Sequence, residues 1–152
     1  MVKHRLDKVL ITLEVGNTTA LFILLDKYGN IHRKGNGNAA ETSLELAQGV
    51  SNQKHFDALL MTVPDSIFDF TGVVKQTPIQ GKECSLSIIF NGPDDVDYSF
   101  RSIYGDESQG PAAELVQILI NAVKITDPWY AEQLTPQQPL NTEAKKWWEF
   151  WK

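Results

Sequence analysis

Lys8-Val9-Leu10-Ile11-Thr12-Leu13-Glu14-Val15 runs directly into Gly16-Asn17-Thr18 and then into Thr19-Ala20-Leu21-Phe22-Ile23-Leu24-Leu25-Asp26. In the first octet Val9, Ile11, Leu13 and Val15 alternate with Leu10, Thr12 and Glu14. A period of two is the repeat of a strand with one face buried. Gly and Asn tolerate positive φ, so Gly16-Asn17-Thr18 reads as a turn. The nearly continuous apolar run over 19–26 predicts a second, central strand covered on both faces. Asp26-Lys27-Tyr28-Gly29-Asn30 supplies another tight connection, and a polar third strand over 31–34 is stopped by Gly35-Asn36-Gly37-Asn38. These three strands form an antiparallel meander.

Further along, residues 39–50 carry no decisive period. Over 52–63, Phe56, Leu59, Leu60 and Val63 fall at i, i+3, i+4 and i+7, one face of a helix that Pro64 ends. Residues 65–71 read as a short helical turn whose Ile67, Phe68 and Phe70 feed the core, closed by Gly72. Strands follow over 83–90 and 97–104, joined by the loop Asn91-Gly92-Pro93-Asp94-Asp95. Ser108-Gln109-Gly110-Pro111 then starts a long helix, because proline suits a first helical turn. Its apolar stripe holds Ala112, Leu115, Val116, Leu119, Val123 and Thr126, widened by Ile118, Ile120 and Ile125. Asp127-Pro128 re-caps a final turn carrying Trp129 and Tyr130. The expected fold is α+β: a mainly antiparallel sheet of about five strands, with a long C-terminal helix and a shorter central helix packed on it. Residues 1–134 form one domain, and 135–152 a Pro/Gln linker with a Trp-rich tail.

A chain of 152 residues with 42% hydrophobic content can bury one sizeable core. Its net charge of −5 argues against nucleic acid and anionic lipid as partners, since both attract Lys and Arg. The longest apolar run, Ala20–Leu25, is far below the roughly 20 residues that cross a bilayer as a helix. Asp7 and Lys8 interrupt the start of the chain before any export signal develops. With the single cysteine Cys84, a cytoplasmic setting is expected.

No catalytic, metal or cofactor constellation stands out. Cys84 begins a strand and reads as a buried structural thiol. His4, His32 and His55 are scattered without ligand spacing and read as surface residues. Glu14 and Asp26 are the carboxylates to test for acid–base pairing. Asp94, Asp95 and Asp97 lie at one end of the 83–104 hairpin, and Asp106 and Glu107 follow its second strand. Strand length favours two solvated loops; the functional alternative is a patch that steers a basic partner. In the tail, helical spacing puts Trp147, Phe150 and Trp151 on one face with Trp148 beside them. Such aromatic surface docks on its own domain, on a partner or on a second copy. The partner-binding candidates are therefore these five acidic residues and these four aromatics.

Two resemblances bear on function. Leu13-Glu14-Val15-Gly16-Asn17-Thr18-Thr19, followed by Asp26-Lys27-Tyr28-Gly29-Asn30-Ile31, resembles the first phosphate-binding hairpin of the actin-like sugar-kinase and type III pantothenate kinase superfamily. The resemblance implies nucleotide binding through Glu14, Gly16, Asn17 and Thr18, although Glu14 stands where that family favours aspartate and the chain is short for its two-lobed fold. Ile31-His32-Arg33-Lys34-Gly35-Asn36-Gly37, Phe56–Leu60, Thr126–Tyr130 and Trp147–Trp151 are similar, diffusely, to small bacterial proteins of toxin–immunity loci. That similarity implies a cytoplasmic inhibitor without chemistry of its own, which binds one cognate toxin; the acidic balance suits a basic one. The leading expectation is thus a non-catalytic protein-binding protein. The alternatives are a small nucleotide-binding or enzymatic domain using the Gly16-Asn17-Thr18 turn, and a homo-oligomer associating through the tail.

Overall fold

The computed structural model describes residues 2–37, 46–52, 54–94 and 96–133. The meander forms as its alternation dictates, from β1 (Lys8–Val15), β2 (Thr18–Asp26) and β3 (Asn30–Lys34). Asp26 shapes the second turn: its carboxylate accepts the N–H groups of Tyr28 and Asn30, both at 2.9 Å, and the Asn30 amide at 2.7 Å. Side-chain acceptors of this kind replace the backbone turn bond. A fourth strand, β4 (Ala47–Val50), extends the meander, and after helix α1 (His55–Thr62) and a 3-10 turn (Asp65–Asp69) comes the short β5 (Gly72–Lys75). β6 (Glu83–Asn91) and β7 (Asp97–Gly105) form a hairpin, and helix α2 (Ala113–Gln133) closes the described chain. The seven strands make one mixed sheet in the order β4-β3-β2-β1-β6-β7-β5, in which only β5 and β7 run parallel.

One sheet face carries the core. Val9, Ile11 and Leu13 of β1 sit between Leu25, Ile23 and Leu21 of β2 and Phe90, Ile88 and Leu86 of β6, all fully buried. Phe56 and Leu59 of α1 and Leu115, Ile118, Leu119, Ala122 and Val123 of α2 pack on that face in the same cluster. Removing this apolar area from water is the main stabilising term. The opposite face holds Leu10, Phe22, Leu24 and Ile89, half-buried among Thr12, His32, Lys34 and Ser87. β2 is therefore covered on one face rather than two, and its unbroken apolar run fills the core on one side and a stripe on the other.

Several further boundaries differ from expectation, each for a local reason. Seven strands replace about five. β4 falls in the stretch without a period because its inward residues, Ala47 and Gly49, are small; the Trp129 ring lies where a Gly49 Cβ would come within 3.1 Å of it. β5 is four residues long and paired on one side to β7, too short to produce a repeat. α1 begins at His55 rather than 52, and Lys54 before it has φ 49°. The helix lacks a basic residue in its last turn, and Lys3 supplies that charge, donating to the Leu60 and Val63 carbonyls at 3.1 and 2.7 Å. α2 passes through Asp127-Pro128 without a new cap. Proline removes one helical hydrogen bond, but burial of Trp129 and Tyr130 outweighs that loss. The Tyr130 hydroxyl also accepts the Gly35 N–H at 2.9 Å. No helix among the described residues is long and apolar enough to cross a membrane.

Candidate functional site

The most distinctive surface lies at the β5 edge. Val73 and Val74 are 64% and 55% exposed, and Phe70, just before the strand, is 77% exposed. Phe70 thus points away from the core it was expected to feed. The reason is Phe68, which holds the 3-10 turn by edge-on contacts with Phe90, Tyr98 and Phe100 at centroid distances of 5.4, 5.2 and 6.2 Å. With Ile67 also buried, the turn has no remaining inward position for Phe70. On the helix side of β5 a groove of about 450 Å³ opens between this turn, the strand and the first turns of α2. Ile67, Phe70, Val74, Phe100, Leu115 and Ile118 give it an apolar wall, and Arg101 and Glu114 stand among its lining.

The walls of the groove are fixed. The Ala112 N–H donates to Ser102 Oγ at 3.1 Å, tying the start of α2 to β7. Gln109 accepts the Gly105 N–H at 2.6 Å and donates to the Pro78 carbonyl at 2.9 Å, which holds the β5–β6 connection against the end of β7. Exposed apolar groups over a rigid cleft, beside an open sheet edge, are the features of a contact surface.

The acidic candidates divide as strand length suggested. Asp97 opens β7, and Asp106 follows its last residue, so the nine-residue strand holds them roughly 30 Å apart. Register gives this separation a second meaning. β5 pairs with the middle of β7, Gly72 with Phe100 and Lys75 with Ile103. Asp97 therefore lies three residues before the paired stretch and Asp106 three after it. Asp97 accepts from the Asn91 side chain, and Asp106 accepts the Lys82 N–H at 2.7 Å. Asp94 is exposed in the hairpin loop and Glu107 beside Asp106. Asp95, Trp147, Trp148, Phe150 and Trp151 lie outside the described residues.

The Gly16-Asn17-Thr18 turn has the positive φ its glycine suggested, 62°. Its arrangement does not favour phosphate. The Gly16 N–H donates to the Glu83 carbonyl at 2.9 Å and is engaged in the sheet. Glu14 is exposed between Thr19 and Ser85 on the helix-free face. Glu14 and Asp26 sit at opposite ends of the β1–β2 hairpin, since Asp26 pairs with Lys8, so they form no acid–base couple.

A second cleft of about 450 Å³ lies beside α1, lined by Lys3, Lys27, Phe56, Asp57 and Met61 among others. Its cations are already engaged, Lys3 with α1 and Lys27 with Asp7 at 2.6 Å. Hydrogen bonding to Asp7 raises the Lys27 pKa. Cys84 is buried, donates to the Lys82 carbonyl at 3.4 Å, and has its pKa raised by burial and by Asp106. A nucleophilic thiol requires the reverse shift. His55 corrects the surface reading of the histidines: it is 6% exposed, and burial lowers its pKa. The sequence signal for this was its place one residue before Phe56, at the start of a short amphipathic helix. Among the described residues, no group of three His, Cys, Asp or Glu could hold a metal ion. No known protein family, curated protein or solved structure matches the chain.

Proposed function

We propose that this chain works by binding another protein, without chemistry of its own, through the β5 edge and its groove. The observation that carries the reading is the run of exposed apolar side chains, Phe70, Val73 and Val74, beside a groove with anchored walls. Burying such side chains contributes about 1.5–3 kcal/mol each. In its specific form the proposal is a cytoplasmic immunity protein that neutralises a cognate bacterial toxin. Support for that form is the similarity to immunity proteins noted above and the excess of carboxylates, 19 against 14 Lys and Arg, which suits a basic toxin.

Affinity capture from native lysate tests the reading, with the full chain, Phe70→Asp and Asn17→Ala as baits. Phe70 and Asn17 are both exposed, so neither change disturbs the core. One stoichiometric partner retained by the wild type and Asn17→Ala, and lost by Phe70→Asp, is the expected result. Absence of a partner on the wild type, or equal capture by Phe70→Asp, would overturn it.

A further inference from the structure

The geometry points to strand addition as the mode of recognition: the β5 edge takes up an extended segment of the partner, apolar at its centre and basic at both ends. This inference rests on the protein-binding reading and specifies its chemistry.

Three observations on the described residues converge. First, β5 pairs with β7 on one side, and among the described residues no strand lies on its other side. Backbone N–H and C=O groups on a free edge are a template for another strand. Natural edges are usually blunted by charge or by a covering loop, whereas β5 presents two exposed valines and only Lys75 as a charge. Second, the two faces of an added strand would meet different surroundings. Val74 pairs with Ser102 and lines the groove, so alternate residues of the incoming segment would sit over Val74, Phe70 and Ile118. The intervening residues would lie beside Val73 and Arg101 on the other face.

Third, the charges define the segment's ends. A strand of about ten residues along β5 spans the distance from Asp97 to Asp106. Its central positions face valines, and its ends reach Asp97 on one side and Asp106 with Glu107 on the other. Lys or Arg at both ends complements that pattern. A second copy pairing antiparallel through its own β5 would bring carboxylates against carboxylates, which disfavours self-association at this edge. The opposite edge, β4, is a weaker template: it carries Gln48 and Gly49, and the neighbouring cleft is lined by Asp26, Lys54 and Asp57.

The test is amide NMR on the isotope-labelled full chain, titrated with the capped peptide acetyl-Lys-Lys-Val-Thr-Val-Thr-Val-Lys-Lys-amide. Saturable shifts at residues 70–76, weakening as salt is raised, are expected. A peptide with every Lys replaced by Glu should bind at least about tenfold more weakly. A peptide N-methylated at alternate residues keeps the side chains but loses backbone donors, and should lose binding altogether. The inference is overturned by no saturable shift at millimolar peptide, by shifts at β4 instead, or by equal binding of the Glu or N-methylated peptide. It is also overturned if Trp147→Ala or Trp151→Ala alone shifts residues 70–76 without peptide, which would make the chain's own tail the occupant. If capture remains sensitive to Phe70→Asp while the peptide fails, strand addition falls and protein binding stands.

Discussion

Arg33 is fully buried, in a strand whose other residues read as polar and exposed. Its guanidinium donates to Gly35 O at 3.1 Å, to Thr126 Oγ1 at 3.2 Å, to Val123 O at 3.4 Å and to the Asp127 carboxylate, and it lies 4.6 Å from the Tyr130 ring centroid. Desolvation lowers its pKa, opposed by Asp127. One side chain thus locks β3 to the C-terminal half of α2. Arg33→Ala leaves these acceptors unpaired and should destabilise the fold by about 3–5 kcal/mol, measured by urea denaturation. Arg33→Lys should not restore it, because an ammonium lacks the planar fork.

His55 gives a pH dependence of defined sign. Its folded pKa lies below the unfolded value of about 6.5, so the unfolded chain binds the extra proton. Stability is full above that value and declines as pH falls through it towards the folded pKa. Thermal unfolding between pH 7.5 and 5.5 should show a falling midpoint, with a smaller fall in His55→Phe. An equal fall in both proteins would remove His55 as the source.

Among the elements, those with a repeat long enough to read were legible. β1, β2, β3, β6 and β7, the central helix and α2 follow from alternation or from a helical stripe, and the turns follow from Gly16, Asp26 and Gly29. β4 and β5 were hidden because each is four residues long and depends on its neighbour, β3 or β7, for pairing. The continuation of α2 past Pro128 was hidden because the contacts of Trp129 and Tyr130 with β4 and Gly35 are tertiary. The candidate site was legible only in part. Its carboxylates were named from the sequence, but their relation to an exposed edge needed the β5–β7 register, and Phe70 had been assigned inward.

Close approach of backbones at the end of β7 offers a test of how the groove is held. A Cβ on Gly105 would come within 1.9 Å of the Gln80 carbonyl oxygen. Gly105→Ala should displace the β5–β6 connection and cost about 1–3 kcal/mol, measured by denaturant midpoint. Val73→Thr, exposed on the same strand, should change stability by less than about 0.5 kcal/mol.

At the scale of the molecule, a one-sided sheet places both helices on one face and leaves a groove where the first turn of α2 meets the free β5 edge. The contact surface is therefore a consequence of the fold's layering, with Phe68 and Gln109 as its local anchors. The nucleotide reading makes a contrary prediction, a thermal shift with ATP that Asn17→Ala abolishes; the present account predicts no shift. The central claim is that the β5 edge is where this protein meets its partner, and hydrogen–deuterium exchange on the captured complex addresses it most directly. Slowed exchange over residues 70–76, with residues 16–18 unchanged, is the predicted result. Unchanged exchange over 70–76, with protection elsewhere on the chain, would contradict it.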